Sequence, residues 1–241
     1  MVITFANEAQ FRHLLASLAQ EMVDANIHWK LRRDLAEQAQ AFSAVYNESP
    51  TFWSLTFQAH VDATVFRLIR IFDGNSASLS LRNLLDTIAA NLDIFDSDKF
   101  RVRLQTNPFV DSLASDAHRP DASQLAADMK FVSNENPLVK NLTVWRNNLF
   151  AHKSAANVVE NRDLSTDYPL TDKGVDDLLL NAMAILNRYS SLFEAATYST
   201  KIVGADDFQY VLKTIQARLD EHEKEIEREL LKYEQAAPAK S

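Results

Sequence analysis

The chain has no cysteine, which excludes disulfide bridges and thiolate zinc sites and fits a reducing compartment. It has only three glycines in 241 residues. Sheets joined by tight hairpins use glycine in their turns, so this scarcity argues for helices. No apolar run approaches the roughly 20 residues of a membrane-crossing helix, so no membrane span is expected. The segment Met1 to Gln10 lacks both a basic start and a continuous apolar stretch, so no targeting signal is expected. Positive charge is short as well: 25 Lys and Arg stand against 33 Asp and Glu, a formal net charge of -8. That balance disfavours a protein that coats nucleic acid and leaves room only for a small local binding site. Glycine-rich phosphate loops, Walker patterns and serine elbows are all missing. What remains is 46% hydrophobic residues, ample for a buried core in one large domain or two small ones.

Those residues recur at helical spacing. Phe11, Leu14, Leu15, Leu18 and Met22 predict one amphipathic helix, and Ile27, Leu31, Leu35 and Phe42 a second, from about Asn26 to Val45. Ser49-Pro50 has the form of an N-cap followed by proline at the first helical position. The helix it opens, to about Phe72, is apolar nearly all round and is expected to be central. Asp73-Gly74-Asn75 stops it, and Ser78 or Ser80 caps the next helix, which carries Leu81, Leu84, Leu85, Ile88 and Leu92. From Asp93 to Asn136 the pattern weakens to short helices and loops, with Ser123 to Val132 helical. Asn136-Pro137 repeats the cap-plus-proline start, and Asn161 to Leu170 is a loop. Thr171 caps a long helix with Val175, Leu178, Leu179, Ala182, Ile185, Tyr189, Leu192 and Phe193 on its buried face. The last helix places Leu212, Ile215, Leu219, His222, Ile226, Leu230 and Tyr233 at mostly alternating three and four spacing. That is a narrow seam of the kind found in a long antiparallel pair or a short coiled coil.

The helix opened by Pro137 carries Arg146-Asn147-Asn148-Leu149-Phe150-Ala151-His152. Arginine holds a phosphate with a planar fork of donors, and histidine exchanges protons near neutral pH. Together they suffice to cleave RNA, whose 2′-hydroxyl supplies the nucleophile. At 100° per residue, Leu138, Leu142, Trp145 and Leu149 form a stripe about 60° wide. Arg146 and His152 fall on opposite shoulders of it, about 120° and about 9 Å apart. One straight helix therefore does not aim both groups at one spot. Arginine can lean across, the helix can end before His152, or two copies of the helix can meet about a two-fold axis. The spacing of Arg to His is itself expected about once by chance in a chain of this composition. The other reading has Arg146 as a surface arginine and His152 as a C-terminal cap favoured by the helix dipole.

The words around the pair, Trp145-Arg146-Asn147 and Phe150-Ala151-His152-Lys153, resemble the signature of the HEPN superfamily. A second region, Phe52-Trp53 through Arg67-Leu68-Ile69-Arg70-Ile71-Phe72-Asp73 and then Ser78-Leu79-Ser80-Leu81, resembles its abortive-infection U branch. The resemblance covers about Phe42 to Phe193. It implies an all-α, HEPN-like helical bundle. Outside it the sequence pattern adds a long C-terminal helix, giving residues 1–199 as the domain, 205–235 as a helix that packs or dimerises, and 236–241 as a disordered tail. The resemblance further implies a cytoplasmic homodimer that cuts RNA without a metal or other cofactor, in prokaryotic defence or a toxin–antitoxin system with a partner protein. His152 would be general acid or base, Arg146 the phosphate ligand, and Asn147 a group that orients the histidine or binds phosphate, leaving a 2′,3′-cyclic phosphate and a 5′-hydroxyl. Asn148, Lys153, Arg67 and Arg70 are the candidate substrate contacts. The competing function is a non-catalytic HEPN module that binds RNA, a nucleotide or a partner protein, which the acidic charge favours.

Other cations and histidines have plainer readings. Arg67, Arg70 and Arg82 either line an RNA path or pair with Asp62, Asp73 or Asp86. Lys99, Arg101 and Arg103 alternate in a polar stretch that reads as a solvated loop, with phosphate contact as the other possibility. His222 reads as a polar residue tolerated in the last helix's seam. His13, His28, His60 and His118 have no patterned partner.

Overall fold

The computed structural model describes residues 2–114, 119–150, 155, 159–160, 162–201, 204 and 206–236. Within them the chain is helical, with no strand. In order the helices are α1 (Glu8–Gln38), α2 (Ser43–Glu48), α3 (Pro50–Ile71), α4 (Leu81–Ala90), α5 (Ser97–Arg103), α6 (Val110–Ala114), α7 (Ala122–Phe131), α8 (Pro137–Trp145), α9 (Leu164–Asp167), α10 (Asp172–Glu194) and α11 (Phe208–Ala236). A 3-10 turn, Leu92–Phe95, precedes α5, and a π-helical turn, Arg146–Phe150, comes directly after α8. Among the described residues no helix is long and apolar enough to cross a membrane. The C-terminal tail, residues 237–241, lies outside the described residues.

The chain divides into two units: residues 1–26 with 62–200, and residues 27–61 with 201–241. The first unit holds the large core. Phe11, Leu15, Leu18 and Met22 of α1 are buried, as are Leu68 and Ile71 of α3, Leu84, Leu85 and Ile88 of α4, and Leu178, Ala182, Leu186, Tyr189 and Phe193 of α10. Phe11, Phe95 and Phe193 meet edge to face, with ring centroids 4.8 to 6.2 Å apart, a geometry suited to the aromatic quadrupole. The second unit has its own core of Leu35, Val45, Trp53 and Leu212, flanked by Leu31, Tyr46, Phe57, Ile215 and Leu219. Thus the first half of the α11 seam packs, while Ile226, Leu230 and Tyr233 in its second half stay exposed. His222 is exposed too, beside Glu225.

Several local expectations hold with the chemistry foreseen. Asn136 Oδ1 accepts from Leu138 N at 3.0 Å and Thr171 Oγ1 from Gly174 N at 3.1 Å, so both act as N-caps. Ser80, not Ser78, caps α4. Others change. The two predicted N-terminal helices are one through Gln38, because neither Gly nor Pro interrupts Met22 to Asn26. α3 is not buried all round: Phe52, Leu55 and Phe66 are exposed. The stretch taken for a solvated loop at Lys99 to Arg103 is helix α5, and the Arg103 side chain is only 2% exposed. It pairs with both oxygens of Glu8, donates to the carbonyls of Ile94 and Phe193, and lies over the Phe193 ring. A flat guanidinium can serve these acceptors and a ring face together, so a charged residue is tolerated in the core.

Candidate functional site

α8 positions Arg146. Its most buried residues are Val139 and Leu142, while Leu138 and Trp145 are half-buried. Arg146 continues the line Val139–Leu142 at helical spacing, so it lies closer to the buried side than the sequence stripe implies. Trp145 instead turns its indole to donate to the Tyr168 carbonyl at 2.8 Å, and Asn141 donates to the Pro169 carbonyl at 2.9 Å. Both tie the segment around α9 along α8. At the start of α10, Gly174 lets the Leu138 side chain approach closely: a Cβ there would sit 3.0 Å from Leu138 Cδ2.

A cation on the inner side of a helix needs a counter-charge, and Asp73 provides it. Arg146 Nη1 donates to Asp73 Oδ1 at 2.8 Å, with the Arg146 side chain 35% and the Asp73 side chain 14% exposed. Asp73 is held by the turn that ends α3. Asn75 N donates to its Oδ1 at 3.0 Å, and Ser78 Oγ to its Oδ2 at 2.9 Å. The turn is pinned in its own right, since buried Asn83 donates to the carbonyls of Asn75 at 2.8 Å and Ser78 at 2.7 Å. The carboxylate is therefore fixed before it meets the guanidinium, and the pair is partly shielded from water, where an ion pair outweighs its fully exposed equivalent.

Beside this pair lies a cleft of about 90 Å³. Its floor is Ile69, Phe72, Val132, Val139 and Leu142, and its polar lining comprises Asp73, Arg82, Ser133, Asn134, Thr143 and Arg146. Thr143 Oγ1 lies 3.1 Å from both Asn134 Oδ1 and the Val139 carbonyl, so its one proton is shared between these two acceptors.

From Arg146 the backbone widens into the π-helical turn through Phe150. Such turns insert an extra residue and shift the helical phase of the residues beyond them, and they are frequent at functional sites. The 120° separation drawn from an ideal helix therefore does not carry past Arg146. Asn147 is exposed, and Asn148 Nδ2 donates to the Val144 carbonyl at 2.8 Å. His152 and Lys153 lie outside the described residues. Arg67 and Arg70 do not reach the cleft lining. Arg67 pairs with Glu21 at 3.1 Å and Asp24 at 3.0 Å, and Arg70 with Glu21 at 3.0 Å, all acids of α1. The sequence offered Asp73 as a turn residue and as a partner for Arg67, Arg70 or Arg82, not for Arg146, although it sits inside the second stretch of sequence that resembled a known family. Among the described residues no group of three or more His, Asp and Glu side chains is gathered as a metal site requires.

Residues 8–214 match the HEPN family described as AbiU2. The chain belongs to this AbiU2 family. The match takes in all of α1 and the start of α11, and so reaches beyond the Phe42 to Phe193 span of the quoted motifs. The HEPN assignment agrees with the all-helical architecture, and it places the Arg146 turn and the Asp73 turn within one family domain. No curated protein and no solved structure shows a significant match.

Proposed function

We propose that this HEPN protein is a metal-independent endoribonuclease of abortive-infection or toxin–antitoxin type, acting as a homodimer on RNA. The observation that carries the reading is Arg146, held by a pre-set Asp73 at the rim of a cleft and succeeded six residues later by His152 in a family of HEPN proteins. The RNA 2′-oxygen attacks phosphorus and gives up its proton as the new P–O bond forms. The bond to the 5′-oxygen breaks, and that oxygen takes a proton. His152 moves one of these protons, and Arg146 neutralises charge on the phosphoryl oxygens in the transition state. A 2′,3′-cyclic phosphate and a 5′-hydroxyl result. Asn147 orients the histidine or binds phosphate, and Asn148 and Lys153 contact substrate. Arg67 and Arg70 are outer contacts along the RNA path, weakened by the acids they already serve. A second copy of the chain completes the site by bringing its own Arg/His segment alongside, and a partner protein silences the enzyme.

The deciding experiment is cleavage of mixed cellular RNA by the purified protein in EDTA, beside its His152→Ala variant. Cutting by wild type alone, with cyclic phosphate ends, is the expected result. Equal cutting by both would remove His152 from the mechanism. A second reading, a non-catalytic HEPN module that binds RNA, a nucleotide or a partner protein, is favoured by the Asp73 charge already occupying Arg146 and by the net charge of -8. Binding with no cleavage would select it.

A further inference from the structure

Arg146 shares its cleft with a second guanidinium, Arg82. The two differ in their surroundings. Arg146 is neutralised by Asp73, whereas Arg82 is exposed and pairs with no described side chain. Arg82 is also the second residue of α4, directly after the Ser80 cap and Leu81. A cation in the first turn of a helix opposes the helix dipole, so its position brings no stability. Residues that break a local preference without structural compensation concentrate at functional sites. The cleft further contains Asn134, whose amide oxygen lies 3.1 Å from Thr143 Oγ1 and whose amide nitrogen has no described acceptor. With one acid and two arginines, the lining carries a net positive charge, set in a chain that is acidic as a whole.

We propose that this cleft binds a phosphodiester group of a single-stranded RNA, with Arg82 as its charged ligand and the Asn134 amide as a second donor, next to the phosphate held by Arg146. The proposal rests on the reading of the protein as RNA-directed and adds a substrate-binding cation to it. One phosphodiester charge matches the one uncompensated cation of the lining.

The test is equilibrium binding of a short single-stranded oligoribonucleotide to the full-length His152→Ala protein, which does not consume it, over a range of salt concentrations. Arg82→Ala should weaken binding about tenfold at low salt, the loss of one charge-assisted contact. It should also make the slope of log K against log salt shallower by about 0.7, the value for one phosphate contact to a single strand. Arg82→Lys should keep the slope while losing part of the affinity. Arg101→Ala, removing a cation that pairs with Asp98 and Asp111 on α5 and α6, should change little. An unchanged affinity and slope in Arg82→Ala overturns the proposal, as does weaker binding with an unchanged slope. Adenosine monophosphate that binds with the same dependence on Arg82 also overturns it and identifies a nucleotide pocket. The two readings fail separately: binding through Arg82 without cleavage by wild type keeps this site and removes the nuclease, whereas cleavage indifferent to Arg82 does the reverse.

Discussion

Replacing Asp73 by Asn tests whether the turn after α3 positions Arg146. The carboxylate accepts from Asn75 N, Arg146 Nη1 and Ser78 Oγ. An amide has the same shape. Its oxygen can keep the first two donors, and its NH2 can give to a Ser78 hydroxyl that turns to accept. What disappears is the charge. The Arg146 contact changes from a partly shielded ion pair to a hydrogen bond between a cation and a neutral oxygen, a loss of about 1 kcal/mol. In a chain of this size that lowers Tm by about 2–4 °C. Asp73→Ala loses all three bonds and should cost about 2–4 kcal/mol. The catalytic signature is more telling than the thermal one. In Asp73→Ala, where the guanidinium is no longer held, kcat for RNA cleavage should fall about tenfold, and in Asp73→Asn, which keeps the bond without the charge, by a smaller factor. KM should not rise, because a negative charge beside the substrate phosphate has gone. The assay is steady-state cleavage of a labelled oligoribonucleotide, paired with thermal denaturation of the same preparations. A raised KM with an intact kcat, or an Asn variant equal to wild type in both Tm and kcat, would refute the positioning argument.

Arg103→Lys should destabilise the first unit by about 2–4 kcal/mol, since an ammonium cannot serve Glu8, two carbonyls and the Phe193 ring together; chemical denaturation that matches wild type would contradict this. Tyr189, whose phenol is pushed well above its ordinary value by burial and then by the Asp128 carboxylate, stays a donor to Asp128 at 2.7 Å throughout the neutral range. Tyr189→Phe should cost about 1–2 kcal/mol, because Arg188 and Gln124 remain on that acid. In the second unit, His60 Nδ1 lies 2.9 Å from His28 Nδ1, and burial, then the His28 charge, hold the His60 pKa below its ordinary value. The folded state therefore binds this proton less readily than the unfolded one. Its stability should fall as pH drops below about 6.5, by less in His60→Gln, and denaturation midpoints that do not move between pH 7 and 5 would exclude the effect. RNA cleavage should survive excess EDTA, and a strict magnesium requirement would remove the proposed chemistry.

The sequence by itself determined the helical class, because three glycines and 3.6-residue periodicity leave little room for anything else. It also placed the helix starts at Asn136-Pro137 and Thr171, since capping depends on residues adjacent in the chain. The family was legible from two separated words, Trp145 to Lys153 and Phe52 to Leu81. Tertiary structure decided which charges meet. Arg103 reads as one of three alternating cations, yet Glu8, 95 residues away, and the end of α10 make it a core residue. Arg67, Arg70, Arg82 and Arg146 look alike as arginines near apolar runs. Only packing gives the first two to α1 acids, gives Arg146 to Asp73, and leaves Arg82 at the cleft without an ion pair among the described residues. Local pattern comes from bonds between near neighbours, whereas the worth of a charge depends on which distant carboxylate arrives beside it and how much water stays between them.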